Sequence, residues 1–315
     1  MAELKRKIDK FLLDWRNSKT RKPLIIKGAR QTGKTTSIEK FGKENYKSFI
    51  EINFVSMPEY KTIFNDGYTV DSIIKNISLH NGNFEFIPND TLIFFDEMQE
   101  FPDVVTSLKF FCIDGRFDVI CSGSLMGINY QEIHSNSVGY KEDYTMRSLD
   151  FEEFLWAKGY KDEQIEDLYT CMKEVKPLTN TQYNVMMSNF NDYMITGGMP
   201  EVVSMFIDNK NFSGVLDKQK SLLLDYEEDI TKYAGGLDKS KILVAYQKIK
   251  VFLGNDNKKF QITKLKDGAR NREYIGVVDW LDKAGIVNVS YSLYHLELPL
   301  KVNYNPDNYR LYFGD

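Results

Sequence analysis

Apolar residues recur along this chain with two different periods, and the alternation between them predicts the architecture. Leu4, Ile8, Phe11, Leu12 and Trp15 fall at helical spacing and predict a lead helix. Pro23-Leu-Ile-Ile-Lys27 is a short apolar run that reads as a first strand, with a helix from near Lys34 through Phe41 after it. Ser48 to Phe54 alternates as a second strand, and 57–90 holds one or two helices before a turn at Pro88-Asn89-Asp90. In Thr91-Leu-Ile-Phe-Phe-Asp96 the apolar residues are consecutive, which predicts a strand buried on both faces of a parallel sheet. Asp118 to Ser124 gives a fourth strand and Tyr144 to Phe151 a fifth, followed by a helix through Phe154, Leu155 and Trp156. Strands alternating with helices over 20–155 predict an α/β parallel sheet, within a first domain spanning 1–155.

The pattern then changes. Residues 156–236 are helical, acidic and rich in Tyr and Met, broken at Thr196-Gly-Gly-Met-Pro200 where one helix stops and the next starts. Gly235-Gly236 is a candidate boundary. Residues 237–315 predict a winged helix-turn-helix. Ile242 to Leu253 is its first helix, Ile262 to Lys266 a short second, and Asp267-Gly268 the turn. Arg270 to Ala284 is the third helix, buried through Tyr274, Val277, Val278 and Leu281, and Val287 to Leu298 is the wing.

Composition narrows the function classes. The chain has 315 residues, 42% hydrophobic, and a net charge of −4, which leaves no overall nucleic-acid footprint. The charge is uneven, however. Residues 1–22 carry eight bases against three acids, 150–229 sixteen acids against seven bases, and 238–273 ten bases against four acids. Cys112, Cys121 and Cys171 form no pair spacing and suggest reduced thiols in a cytoplasmic protein, and three scattered histidines make no metal pattern. No apolar run is long enough for a membrane span, and the basic amphipathic N-terminus is not a signal peptide.

The candidate chemistry sits where strands end. Gly28-Ala-Arg30-Gln31-Thr32-Gly33-Lys34-Thr35, followed by Thr36, fits G-x-x-x-x-G-K-[ST], a loop whose backbone N–H groups cradle phosphates. Lys34 reaches the terminal phosphates, Thr35 supplies a hydroxyl for Mg²⁺, and the following helix points its positive end at the anion. Asp96 and Glu97, at the tip of the buried strand, read as a Walker B pair: Asp96 for Mg²⁺ and Glu97 to polarise the attacking water. Ser122, with Ser124 as alternative, is placed to sense the γ-phosphate. In the C-terminal segment Arg270 and Arg272 fall at the start of the third helix, where recognition helices meet DNA, with Lys258, Lys259, Lys264 and Lys266 around them. Winged helices also dock proteins, so both partners stay open. A guanine-specificity element is missing: Thr263-Lys264-Leu265-Lys266 has lysine where [NT]-K-x-D requires aspartate.

Taken together, Ile26-Lys-Gly-Ala-Arg-Gln-Thr-Gly-Lys-Thr35, Phe94-Phe-Asp-Glu-Met-Gln99, Ser122-Gly-Ser124, Leu149-Asp-Phe-Glu-Glu-Phe-Leu155, Gly197-Gly-Met-Pro200 and Tyr226-Glu-Glu-Asp-Ile230 resemble the AAA+-type P-loop ATPases of the archaeal-ATPase-like group. The resemblance implies a RecA-like P-loop NTPase core, a helical region and a winged helix, with ATP and Mg²⁺ as ligands. Two departures stand out. Relatives have Gly-Arg where this chain has Gly139-Tyr140, which leaves Arg147, Arg116 or Arg30 as the activating cation. Relatives also continue past a segment like Tyr309-Arg-Leu-Tyr-Phe313 into a restriction-endonuclease-like domain, so the chain resembles a truncated form. The expectation is a Mg²⁺-dependent ATPase coupled to DNA, a protein partner or its own oligomer. The alternative is a nucleotide-gated switch with negligible turnover, and a small-molecule kinase lacks the acceptor pocket and lid arginines it would need.

Overall fold

The computed structural model describes residues 4–124, 137–234, 238–274 and 276–315, and the chain divides into two compact units, 1–213 and 214–315. Five parallel strands form the sheet of the first unit: β1 (Leu24–Gly28), β2 (Ser48–Asn53), β3 (Thr91–Asp96), β4 (Asp118–Ser124) and β5 (Glu142–Met146), in the order β2-β3-β4-β1-β5. The helices α1 (Lys7–Asn17), α2 (Lys34–Asn45), α3 (Val70–His80) and α4 (Val104–Asp114) cover its faces.

The two-residue period of a strand sorts the core into two layers. Leu24, Ile26, Leu92, Phe94 and Ile120 pack on one face with Ile8, Leu12 and Trp15 of α1 and with Ile38 and Phe41 of α2. Ile25, Ile93, Phe95, Val119 and Cys121 pack on the other with α3, α4 and a 3₁₀ segment at Pro58–Phe64. All of β3 is buried, as its unbroken apolar run requires. Strand β4 lies between β1 and β3, so the loop after β1 and the tips of β3 and β4 share one edge of the sheet. Ligands bind at that carboxyl edge in open α/β sheets.

Strand β5 ends earlier than its alternating pattern predicts. Asp150 accepts from the Glu153 N–H at 3.0 Å while Glu153 accepts from the Asp150 N–H at 3.1 Å. This capping box starts α5 (Phe151–Ala157) and turns 147–150 out of the sheet. Helices α6 (Asp162–Lys173), α7 (Asn180–Thr196) and α8 (Pro200–Asn209) complete the first unit. The helical stretch expected over 156–236 is therefore shared between the units, because α9 (Val215–Tyr233) belongs to the second. Gly235 and Gly236 lie outside the described residues.

The second unit continues with α10 (Lys239–Leu253), 3₁₀ turns at Ile262–Lys264 and Asn271–Tyr274, α11 (Val277–Lys283) and an antiparallel hairpin, β6 (Val287–Leu293) with β7 (Tyr304–Phe313). Tyr309 to Phe313, expected at a junction with a further domain, pairs within this hairpin, where Leu311 faces Val289. The third helix is shorter than expected. Gly276 at φ 82° takes a left-handed conformation that interrupts it, so α11 begins at Val277 and the residues before it wind as a 3₁₀ turn. Arg270 and Arg272 consequently lie before and within that turn, not at a recognition-helix N-terminus.

Candidate functional site

The loop after β1 is built around two glycines with different physical reasons. Gly28 ends β1, and a Cβ there would sit 2.3 Å from the Met146 carbonyl oxygen of β5. Gly33 takes φ 89°, which a side chain would strain, and hands the chain directly into α2. Between them Gln31 is also left-handed, at φ 62°, and the Thr32 hydroxyl donates to the Ala29 carbonyl at 3.0 Å. Lys34 opens α2, with Thr35 and Thr36 in its first turn.

The Lys34 ammonium donates to the Ala29 carbonyl at 2.7 Å and the Gly28 carbonyl at 3.3 Å. Burial pushes its pKa down to about 8, opposed by the negative charges of Glu97 and Asp96 and helped by the positive charge of Arg30. Those carboxylates therefore lie within electrostatic reach of the lysine. Thr35 is closer still: its hydroxyl donates to Asp96 Oδ2 at 3.0 Å.

Asp96 is 2% exposed and is the centre of the arrangement. Asn53, its register partner at the end of β2, donates to the same Oδ2 at 3.1 Å, and the Ser122 hydroxyl of β4 donates to Oδ1. A buried carboxylate is costly unless its oxygens are hydrogen-bonded, and these donors meet that need. Thr35 and Asp96 supply hard oxygens at hydrogen-bonding distance, the donor chemistry Mg²⁺ takes when it completes its shell with phosphate oxygens and water. The described residues hold no cluster of three or more His, Cys, Asp or Glu that would bind a metal alone.

Glu97 follows at φ 55°, a left-handed conformation rare for a residue with a side chain and costing roughly 1–3 kcal/mol. Gln99 holds it there. Its amide donates to the Glu97 carboxylate and its carbonyl accepts from the Ser124 N–H at 3.1 Å. Gly123 makes room, since a Cβ there would meet Met98 Cγ at 2.6 Å. The Ser124 hydroxyl is buried with no hydrogen-bond partner among the described residues.

The sequence-predicted residues Thr35, Asp96 and Ser122 thus meet directly, with Lys34 and Glu97 beside them. Arg116 does not join them. It lies just before β4, at the opposite end of the sheet, where Asp114 and Asp71 hold its guanidinium at 2.7 and 2.6 Å. Sequence reasoning gave no role to Asn53 or Gln99, and it placed the turn at 196–200 between two helices without bringing it to the phosphate loop. Gly198 there would place a Cβ 2.0 Å from the Leu149 carbonyl, and Pro200 Cγ comes 3.6 Å from the position of a Cβ on Gly33. For Asn53 the available signal was the strand end alone.

Residues 20–155 match a family model described as "AAA domain", and residues 187–315 match "Domain of unknown function (DUF8612)". No curated protein matches the chain. Among solved structures, the Walker-type ATPase PABY2304 of Pyrococcus abyssi is similar at 12% identity and a TM-score of 0.52, over 99% of this chain and 94% of that one. The Aeropyrum pernix ORC1 protein in complex with DNA is similar at 10% identity and a TM-score of 0.37, over 98% and 87%. The Thermotoga maritima RuvB Holliday junction branch migration motor is similar at 13% identity and a TM-score of 0.38, over 90% and 89%. Of these three only the first exceeds a TM-score of 0.5, and at 12% identity the likeness is one of fold.

Proposed function

We propose that this chain, whose residues 20–155 are an AAA domain of the P-loop type, binds ATP with Mg²⁺ and hydrolyses it to ADP and phosphate. The observation that carries the proposal is the 3.0 Å hydrogen bond from Thr35 to Asp96, which joins the start of α2 to the tip of β3 across 61 residues of sequence. Backbone N–H groups of Gly28 to Thr36 and the Lys34 ammonium bind the phosphates. Thr35 and Asp96 would hold Mg²⁺, which would supply positive charge against the negative charge that develops on the phosphates. Glu97 accepts the proton of the water whose oxygen attacks the γ-phosphorus as its bond to the β-phosphate oxygen breaks. Ser122, hydrogen-bonded to Asp96 on the neighbouring strand, links the γ-phosphate position to the metal ligand.

Turnover should be slow without a supplied cation. Arg116 is committed to Asp114 and Asp71 far from the loop, and an arginine finger contributes about 10³–10⁵ in related NTPases. Activation by an oligomer, a protein partner or DNA belongs to the same proposal. For DNA the contact residues are Lys258, Lys259, Lys264, Arg270 and Arg272, of which all but Lys259 are exposed. No helix among the described residues is long and apolar enough to cross a membrane.

Phosphate release measured with and without DNA tests the reading. Slow Mg²⁺-dependent release from the wild-type chain, lost in Glu97→Gln while ATP stays bound, is the expected result. Retained ATP with no release under any condition would make the chain a nucleotide-gated switch and remove the enzyme reading.

A further inference from the structure

The AAA family match begins at residue 20, yet a residue well before it reaches the phosphate loop. Arg6 immediately precedes α1 and its side chain is 6% exposed. Its guanidinium makes three bonds in three directions. Nη1 donates to the Thr32 carbonyl at 2.9 Å, Nη2 to the Arg147 carbonyl at 2.7 Å, and Nε to Glu153 Oε1 at 3.1 Å. Glu153, 4% exposed, also accepts the Lys7 backbone N–H at 2.7 Å. Nη1 lies 3.5 Å from where a Cβ on Gly33 would be. One buried cation therefore ties together the start of α1, the phosphate loop, the turn after β5 and the first turn of α5.

The geometry points to Arg6 as a positioning residue for nucleotide binding, and so to α1 as a working part of the nucleotide site. This rests on the ATP reading above. A trans peptide carries its C=O and the next N–H in opposite directions. Holding the Thr32 carbonyl on Arg6 therefore aims the Gly33 N–H away from Arg6, toward the phosphates. Gly33 and Gln31 both sit in left-handed conformations, so the loop needs an external tie to keep one arrangement. Only the planar fork of arginine can serve two carbonyls and a carboxylate at once; a lysine would keep the charge opposite Glu153 and lose the fork. The remaining face of α1 is fixed independently, because Ile8, Leu12 and Trp15 are buried against the sheet. Coupling between two sites is reciprocal, so bound nucleotide must in turn tighten the docking of the α1 start.

The test is fluorescent ATP-analogue binding to the full chain and its Arg6→Lys variant, with circular dichroism confirming that both are folded. Arg6→Lys is expected to weaken binding at least tenfold while kcat at saturating ATP stays within about twofold. Affinity within twofold of wild type overturns the inference. Hydrogen exchange on the wild-type chain supplies a second arm that needs no variant: amides of residues 6–12 should exchange more slowly once ATPγS and Mg²⁺ are added. Unchanged exchange there, in a chain that demonstrably binds the nucleotide, overturns the inference by itself. A wild-type chain that binds no nucleotide at all overturns the ATP reading and this inference with it, so the two failures are distinguishable.

Discussion

Charge is held in opposite ways in the two units. At the carboxyl edge of the parallel sheet Asp96 is buried and receives hydrogen bonds from Thr35, Asn53 and Ser122, and the Lys34 ammonium is held by two loop carbonyls. In the second unit Lys258, Lys264, Lys266, Arg270 and Arg272 stand exposed on turns and irregular segments. Burying polar groups costs free energy that only fixed partners offset, so the first arrangement is preorganised and insensitive to salt. Exposed cations are cheap to place and screened over about 10 Å, so they suit loose contact with a polyanion. The contrast teaches that chemistry is to be sought first at the sheet edge.

Glu97→Gln should give the largest effect, a fall of about 10²–10⁴ in phosphate release with ATP affinity kept, as expected for loss of a general base. A nearly normal rate would remove Glu97 from the chemistry. Next comes the frame beneath it. Phe95 is fully buried, and Phe95→Ala should cost about 3–5 kcal/mol in denaturant unfolding of the first unit. A loss under 1 kcal/mol would mean that the sheet core is far looser than its packing.

The two kinds of charge also separate by pH and by salt. In the free chain burial pushes the Lys34 pKa down to about 8, while bound phosphates would raise it. Below pH 8 the lysine is already protonated and ATP affinity should be flat. Above it, binding must take up a proton, so affinity should fall by about tenfold per pH unit, read by equilibrium binding from pH 7 to 9.5. A flat profile would show that Lys34 does not meet the phosphates. For any DNA complex, Arg270→Ala should reduce the slope of log affinity against log salt by about one, read by binding at several salt concentrations. At the small end, Leu298 in the loop between β6 and β7 is 87% exposed, and Leu298→Ala should change stability by less than about 0.5 kcal/mol.

The same division governs what can be read from the sequence. Strands buried on both faces leave few registers, so Gly28, Asp96 and Ser122 reach the same edge wherever the strand ends are placed within a residue or two. The loop residues 28–36 and the pair 96–97 were legible for that reason. Arg6, Asn53 and Gln99 were not, because each acts through a contact with no local pattern: Arg6 meets Glu153 across 147 positions and Asn53 meets Asp96 across 43. Gln99 reaches the Ser124 N–H only because β4 lies beside β3. In the second unit the helix ending at Leu253 and the strand starting at Val287 were legible, and neither the strand Tyr304–Phe313 nor the third helix was. Its apolar spacing runs through Tyr274, Val277 and Leu281, all buried, but apolar period does not register a left-handed glycine at 276. Of the arginines expected at a helix start, Arg272 falls on a 3₁₀ turn and Arg270 just ahead of it.

Titration calorimetry of ATP into the wild-type chain, in Mg²⁺ and again in EDTA, tests most directly whether the loop at 28–36 and Asp96 make one metal–nucleotide site. One site per chain, tighter in Mg²⁺ than in EDTA and absent in Lys34→Ala, is the predicted result. Binding that ignores both Mg²⁺ and Lys34, or no binding in either buffer, would contradict it.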